Sequence, residues 1–184
     1  MVLFALLLVT EHIWIEGGFF DTALDSIGFV LVTVGALGRI WTSVYIAGYK
    51  NDKLIDVGPY SMVRNPLYFF SLLAAVGLGL SAESLLVAGL MLLAFTLYYP
   101  FVILVEEKKL LQVHGEAFRE YAARTPRLIP NPTLFKQPKD YLINTRRFEK
   151  AALDTMWFFW AFGIIQLIES LHEAGYLPVL FKIP

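Results

Sequence analysis

The chain has 184 residues, 57% hydrophobic and 17% charged, with net charge −1 and no cysteine. A soluble domain carries about 45–50% apolar and about 25% charged residues, so the composition points to a one-domain membrane protein. The missing cysteines exclude disulfides, thiolate zinc sites and cysteine nucleophiles; the overall charge argues neither for nor against an anionic partner, and no nucleic acid is expected.

A helix needs about 20 apolar residues to cross a bilayer, and five segments approach that length. The first covers residues 1–16. No basic stretch precedes it and no small-residue cleavage site follows, so a retained transmembrane helix is expected rather than a leader. The second, residues 24–47, "LDSIGFVLVTVGALGRIWTSVYIA", is interrupted only by Arg39. Then comes "GPYSMVRNPLYFF", residues 58–70. Asn65 suits an N-cap and Pro66 a first helical position, so the third segment, residues 66–81, begins there. The short link "SAES" implies a tight hairpin into the fourth, residues 84–105, where Pro100 predicts a kink. Beyond it, Leu110, His114, Ala117, Phe118 and Tyr121 share one helical face. That spacing predicts an amphipathic helix over 106–123, continuing the fourth span. A proline-rich irregular segment follows, and the fifth span covers residues 151–178.

The expected fold is therefore all-α: an integral-membrane bundle of about five transmembrane helices with a cytoplasmic amphipathic helix. Residues 1–184 form a single transmembrane domain, and residues 131–184 supply its irregular cytoplasmic segment and C-terminal helix. Thirteen of the fifteen lysines and arginines fall within 47–65 and 106–150. The excess of basic residues on cytoplasmic loops places both segments, and with five spans the N-terminus, in the cytoplasm. A prokaryotic inner membrane is the expected setting.

Two polar constellations stand out. In "VRNPLY", the free N–H groups at the start of a helix favour a negative group, and Arg64 adds a forked donor suited to carboxylate or phosphate. The plainer reading of Arg64, Tyr60 and Tyr68 is an interfacial anchor. In "VEEKKLL", Glu106 and Glu107 point about 100° apart on a helix, so one can face a ligand while the other pairs with a base. The plainer reading there is a charged helix exit.

Together, "LIDVGPYSMVRNPLY" and, some 40 residues on, "EEKKLLQVHGEAFREYAARTPRLIP" resemble the isoprenylcysteine carboxyl methyltransferase superfamily, whose relatives include the membrane phospholipid N-methyltransferases. The resemblance spans residues 36–130, about half the chain, which it marks as a methyltransferase-like catalytic core. It implies an enzyme that uses S-adenosylmethionine, held by Tyr60, Arg64, Asn65, Pro66, Tyr68, Glu106 and Glu107, with Leu54 and Ile55 beside the adenine. It assigns no catalytic residue. The implied acceptor is a lipophilic or lipidated molecule delivered from membrane lipid, a carboxylate or thiolate in preference to an amine, since only those need no base. A phospholipid N-methyltransferase and a non-enzymatic scaffold that keeps the fold are the alternatives. Two departures, Asn65 in place of histidine and Val102 where arginine can occur, argue against prenylcysteine as the substrate.

On the opposite, acidic side, His12 and Glu16 are spaced i, i+4, and Glu169, His172 and Glu173 end the last span. Polar residues at a membrane exit account for this pattern, and the sequence alone assigns no metal there.

Overall fold

The structure, a computed structural model, describes residues 10–15, 18–47, 49 and 53–183. In chain order it contains β1 (Thr10–His12), α1 (Phe19–Ile46), α2 (Pro59–Met62), α3 (Pro66–Ser81), α4 (Leu85–His114), α5 (Glu116–Arg124), a 3-10 turn (Pro132–Leu134), α6 (Thr145–Thr155), α7 (Trp157–Glu173) and β2 (Phe181–Ile183). Helices α1 and α4 and the α6–α7 stretch Thr145–Glu173 are long and apolar enough to cross a membrane; α3 is a shorter apolar helix. The protein is thus an all-α membrane protein, with one small addition: β1 and β2 pair in parallel, Thr10 opposite Phe181.

Four of the five expected segments are helices, and α3 spans Pro66–Ser81 as anticipated. The first segment differs. Residues 1–9 and 16 lie outside the described residues, and Thr10–His12 form a strand where a helix end was expected. Their backbone groups are satisfied across to β2 rather than along a helix. The amphipathic helix expected over 106–123 is two helices, because Gly115 adopts φ 55°, a left-handed conformation that glycine takes without strain and that ends a helix. Phe118 and Tyr121 are buried beyond that break, but Ala117 is exposed. The segment read as irregular from residue 131 contains α6, which starts at Thr145.

The chain divides into two compact units. One comprises Met1–Ala36, Leu72–Phe95 and Met156–Pro184. Here α1 and α3 approach closely at Gly28 and Gly77; a β-carbon on Gly77 would lie 2.7 Å from the Val32 nitrogen. Small residues permit such close contact where lipid offers no hydrophobic drive between helices. Phe29 packs on Phe162, and Gln166 Nε2 donates to Asp25 Oδ1 at 2.6 Å, which ties α7 to α1. Between α3 and α4, the Val87 N–H donates to Ser84 Oγ at 3.2 Å, a side-chain cap.

The other unit comprises Leu37–Ser71 and Thr96–Thr155. Its core is Tyr45, Ile55 and Tyr60, packed against Trp41, Tyr49 and Tyr141. The proline-rich segment is stitched onto the turn around α2. Gly58 N–H donates to the Lys136 carbonyl at 2.7 Å, Asn131 N–H to Met62 at 2.9 Å and Arg64 N–H to Pro126 at 2.9 Å. Along its part of α4, Leu97, Phe101 and Leu104 are exposed at i, i+4 and i+7, the apolar stripe of a helix facing lipid.

Candidate functional site

The turn "VRNP" brings several polar side chains to one place. Pro66 opens α3 with φ preset for a helix. Asn65 stands at the N-cap position, but its carboxamide nitrogen points away, donating to the Arg127 carbonyl at 2.9 Å and to Glu107 Oε1 at 3.3 Å. Arg64 Nε lies 3.2 Å from the same carboxylate oxygen, and its Nη1 donates to the Ala122 carbonyl at 3.3 Å. Arg127 approaches the other oxygen, Glu107 Oε2, with Nη2 at 3.0 Å and Nε at 3.2 Å. One buried carboxylate therefore collects two guanidiniums and an amide from three separate segments. Such charge-assisted bonds are stronger than neutral ones and fix direction.

Glu106 does something else. It takes a hydrogen bond from the Tyr68 hydroxyl and lines a cavity of about 350 Å³ together with Leu54, Ile55, Tyr60, Arg64, Asn65, Pro66 and Tyr68. This volume falls within the roughly 300–1,000 Å³ of small-molecule sites. Eight of the nine residues singled out from the sequence thus meet in one cavity; the ninth, Glu107, stands behind it and holds Arg64. Shielding runs opposite to simple position in the helix. Glu107 is buried, whereas Glu106, one residue nearer the apolar run, is only half-buried because it faces the open cavity.

Sequence reasoning missed several lining residues. Arg39, on α1, reaches the cavity and donates from Nη1 to Ser71 Oγ. An ionisable residue within an apolar span marks a functional position by default, and that signal was available. Tyr99 packs against Tyr68 with tilted rings, their centroids 4.9 Å apart. Tyr121 donates its hydroxyl to the Tyr60 carbonyl at 2.7 Å, fixing the cavity wall. Burial first, then the neighbouring Tyr121 and Glu106, holds the Tyr60 phenol well above its usual range, so it stays protonated. His114 is not among the lining residues.

Fold and cavity together define a membrane protein with a polar, aromatic-walled cavity. The chain belongs to the phospholipid methyltransferase family, whose description matches residues 3–117. It is 36% identical over 177 residues to the nickel-cobalt-cadmium resistance protein NccN of Alcaligenes xylosoxydans xylosoxydans, covering 96% of this chain and 83% of that protein. It is also 36% identical over 162 residues to the cobalt-zinc-cadmium resistance protein CzcN of Cupriavidus metallidurans, covering 88% of this chain and 74% of the relative. No solved structure matches. The matched family is one of the relatives of the superfamily that the motifs resemble.

Proposed function

We propose that the protein is an S-adenosylmethionine-dependent methyltransferase acting on a lipophilic acceptor, with its cavity on the cytoplasmic side of a bacterial inner membrane. The observation that carries this reading is the convergence of Arg39, Arg64, Glu106 and several tyrosine rings on one cavity of about 350 Å³. That donor set fits the methyl donor group by group. Guanidinium suits its carboxylate, a carboxylate suits its ammonium or ribose diol, and aromatic faces suit its purine and its cationic sulfur. When bound, S-adenosylmethionine supplies an activated methyl group.

The chain's own part is binding, alignment and exclusion of water, which account for much of the rate of such a transfer. Glu107 keeps Arg64 directed at the cavity, Tyr121 holds the Tyr60 backbone, and Leu54 and Ile55 supply an apolar wall. A carboxylate or thiolate acceptor needs no base, in keeping with a cavity lined by no histidine among the described residues. The second reading is methylation of a phospholipid amine, favoured by the family description. Glu106 is then the lining carboxylate able to take the proton of the acceptor ammonium. The relatives' names suggest a physiological setting of resistance to divalent metals.

Incubating the purified protein with methyl-labelled S-adenosylmethionine and bacterial lipid extract tests both readings. Label is expected in the organic phase. Release of that label by mild base marks a methyl ester, and retention marks an N-methyl lipid. Label no higher than in a heat-inactivated control, for lipid and membrane-protein acceptors alike, leaves the non-enzymatic scaffold.

A further inference from the structure

A second group of ionisable side chains is built from four parts of the other unit. His12 ends β1, Asp21 lies in the first turn of α1, Glu83 sits in the link between α3 and α4, and Glu169 is on α7. One ligand-bearing atom from each lies within 4.8 Å of all the others. His12 Nε2 is 2.8 Å from Glu83 Oε2 and 3.7 Å from Asp21 Oδ1. The side chains of His12, Asp21 and Glu83 are only 9%, 13% and 4% exposed. Glu83 Oε2 points into this group, and both it and Glu169 Oε2 are buried without a hydrogen bond. Beside the group lies a small cavity of about 40 Å³, room for about one water, lined by Thr10, His12, Glu169 and His172 among others and, among the described residues, by no lysine or arginine.

Three carboxylates closing on one imidazole leave a buried surplus of negative charge, and such a surplus persists only where a cation or protons offset it. The geometry is close to that of a ligand shell. Bonds of about 2.0–2.1 Å in a tetrahedral site place ligand atoms about 3.3 Å apart, and the two measured separations from His12 fall on either side of that. Glu83 is held in place from outside the shell: its backbone takes φ 51°, and the Trp14 indole N–H donates to its carbonyl at 2.8 Å. An imidazole among carboxylates selects a borderline divalent transition ion over calcium or magnesium, which prefer oxygen alone. The absence of thiolate disfavours soft monovalent ions.

We propose that His12, Asp21, Glu83 and Glu169 form a binding site for a divalent transition-metal ion of the zinc, cobalt and nickel group, with the adjoining cavity admitting one exchangeable ligand. This inference is independent of the methyl-donor reading. Equilibrium dialysis of the full-length, metal-stripped protein in detergent against Zn²⁺ or Co²⁺ tests it. About one ion per chain is expected at micromolar free metal, with a visible Co²⁺ spectrum of nitrogen and oxygen donors. Glu83→Gln and His12→Gln should each weaken uptake at least tenfold, and His12→Gln should alter the spectrum. Glu83→Asn, which suits the left-handed backbone at that position, guards against a loss of folding and should weaken uptake equally. Uptake well below one ion per chain at millimolar metal, or variants that bind like the parent, would overturn the site; equal uptake of Mg²⁺ or Ca²⁺ would overturn the ion class. S-adenosylmethionine affinity should be unchanged in all three variants, so the two readings fail separately.

Discussion

The Glu107 centre and the His12 group are both buried and both ionic, yet their charge balance is opposite. At Glu107, one carboxylate faces two guanidiniums and an amide. In the other group, three carboxylates face one imidazole. The first is satisfied by the chain itself and acts as a brace. The second is not, and burial, together with the neighbouring carboxyls of Asp21 and Glu169, pushes the Glu83 carboxyl up to about 9. An ion centre whose carboxylate the chain itself fully engages organises nearby side chains; one with a surplus of buried carboxylates calls for a ligand of opposite charge.

The sharpest break in this comparison comes from the brace. Glu107→Gln leaves two guanidiniums short of a counter-charge. Breaking a buried ion pair costs about 3–5 kcal/mol, and the lower end applies because the Arg127 side chain is 51% exposed. Thermal unfolding in detergent should show this loss, while the equivalent neutralisation at Glu83 should not destabilise the metal-free protein. Next in size is Arg64→Ala. Removing a charge-assisted hydrogen bond worth about 1.5–3 kcal/mol should weaken S-adenosylmethionine binding about ten- to hundredfold. Arg64→Lys should recover only part, since the fork is lost. Unchanged affinity in Arg64→Ala would reduce Arg64 to a lipid-headgroup anchor.

The two adjacent glutamates sharpen the contrast further. Among variants that fold, Glu106→Gln should lower donor affinity more than Glu107→Gln, because Glu106 lines the cavity and Glu107 acts through Arg64. In a double-mutant cycle with Arg64→Ala, Glu107 should couple strongly and Glu106 weakly. Equal, additive effects would contradict the division of roles.

The smallest expected effect is on alkaline stability. Burial holds the Tyr60 and Tyr121 phenols above their usual range. In the unfolded chain they ionise near pH 10, so the unfolded state sheds protons that the folded state keeps. Their contribution is complete below about pH 10 and falls as pH rises beyond it. Tyr121→Phe should lose about 1 kcal/mol at neutral pH, from the hydrogen bond to Tyr60, and show a shallower decline in denaturant stability above pH 10.

The cavity at the start of α3 was more legible in the sequence than the His12 group, for a physical reason. Tyr60, Arg64, Asn65, Pro66 and Tyr68 fall within nine residues of chain, so local geometry gathers them, and the glutamate pair marks one helix exit. Arg39 and Tyr99 escaped because periodicity tells which face of a helix a residue occupies, not which helix it faces. Arg127, in an irregular proline-rich stretch, gave no periodic signal to tie it to Glu107. In the other group, His12 and Glu169 were noticed at the ends of apolar segments, but beside Glu16, His172 and Glu173. Their partners are Asp21 and Glu83. Glu83 looked like one polar residue of a hairpin link, and only the packing of that link against α1 and α7 turns its carboxylate inward. Glu16 lies outside the described residues, and Glu173 is exposed. The α3 boundaries were readable because an Asn-Pro start and a polar "SAES" end are local signals. The strand at Thr10–His12 was not, since its partner lies at Phe181–Ile183.

Calorimetric titration of S-adenosylmethionine into the detergent-solubilised protein, run in parallel on the parent, Glu106→Gln and Glu83→Gln, tests the central claim most directly. Binding below millimolar, weakened by Glu106→Gln and untouched by Glu83→Gln, is the predicted result. No heat of binding in the parent up to millimolar donor, or equal weakening by both substitutions, would contradict it.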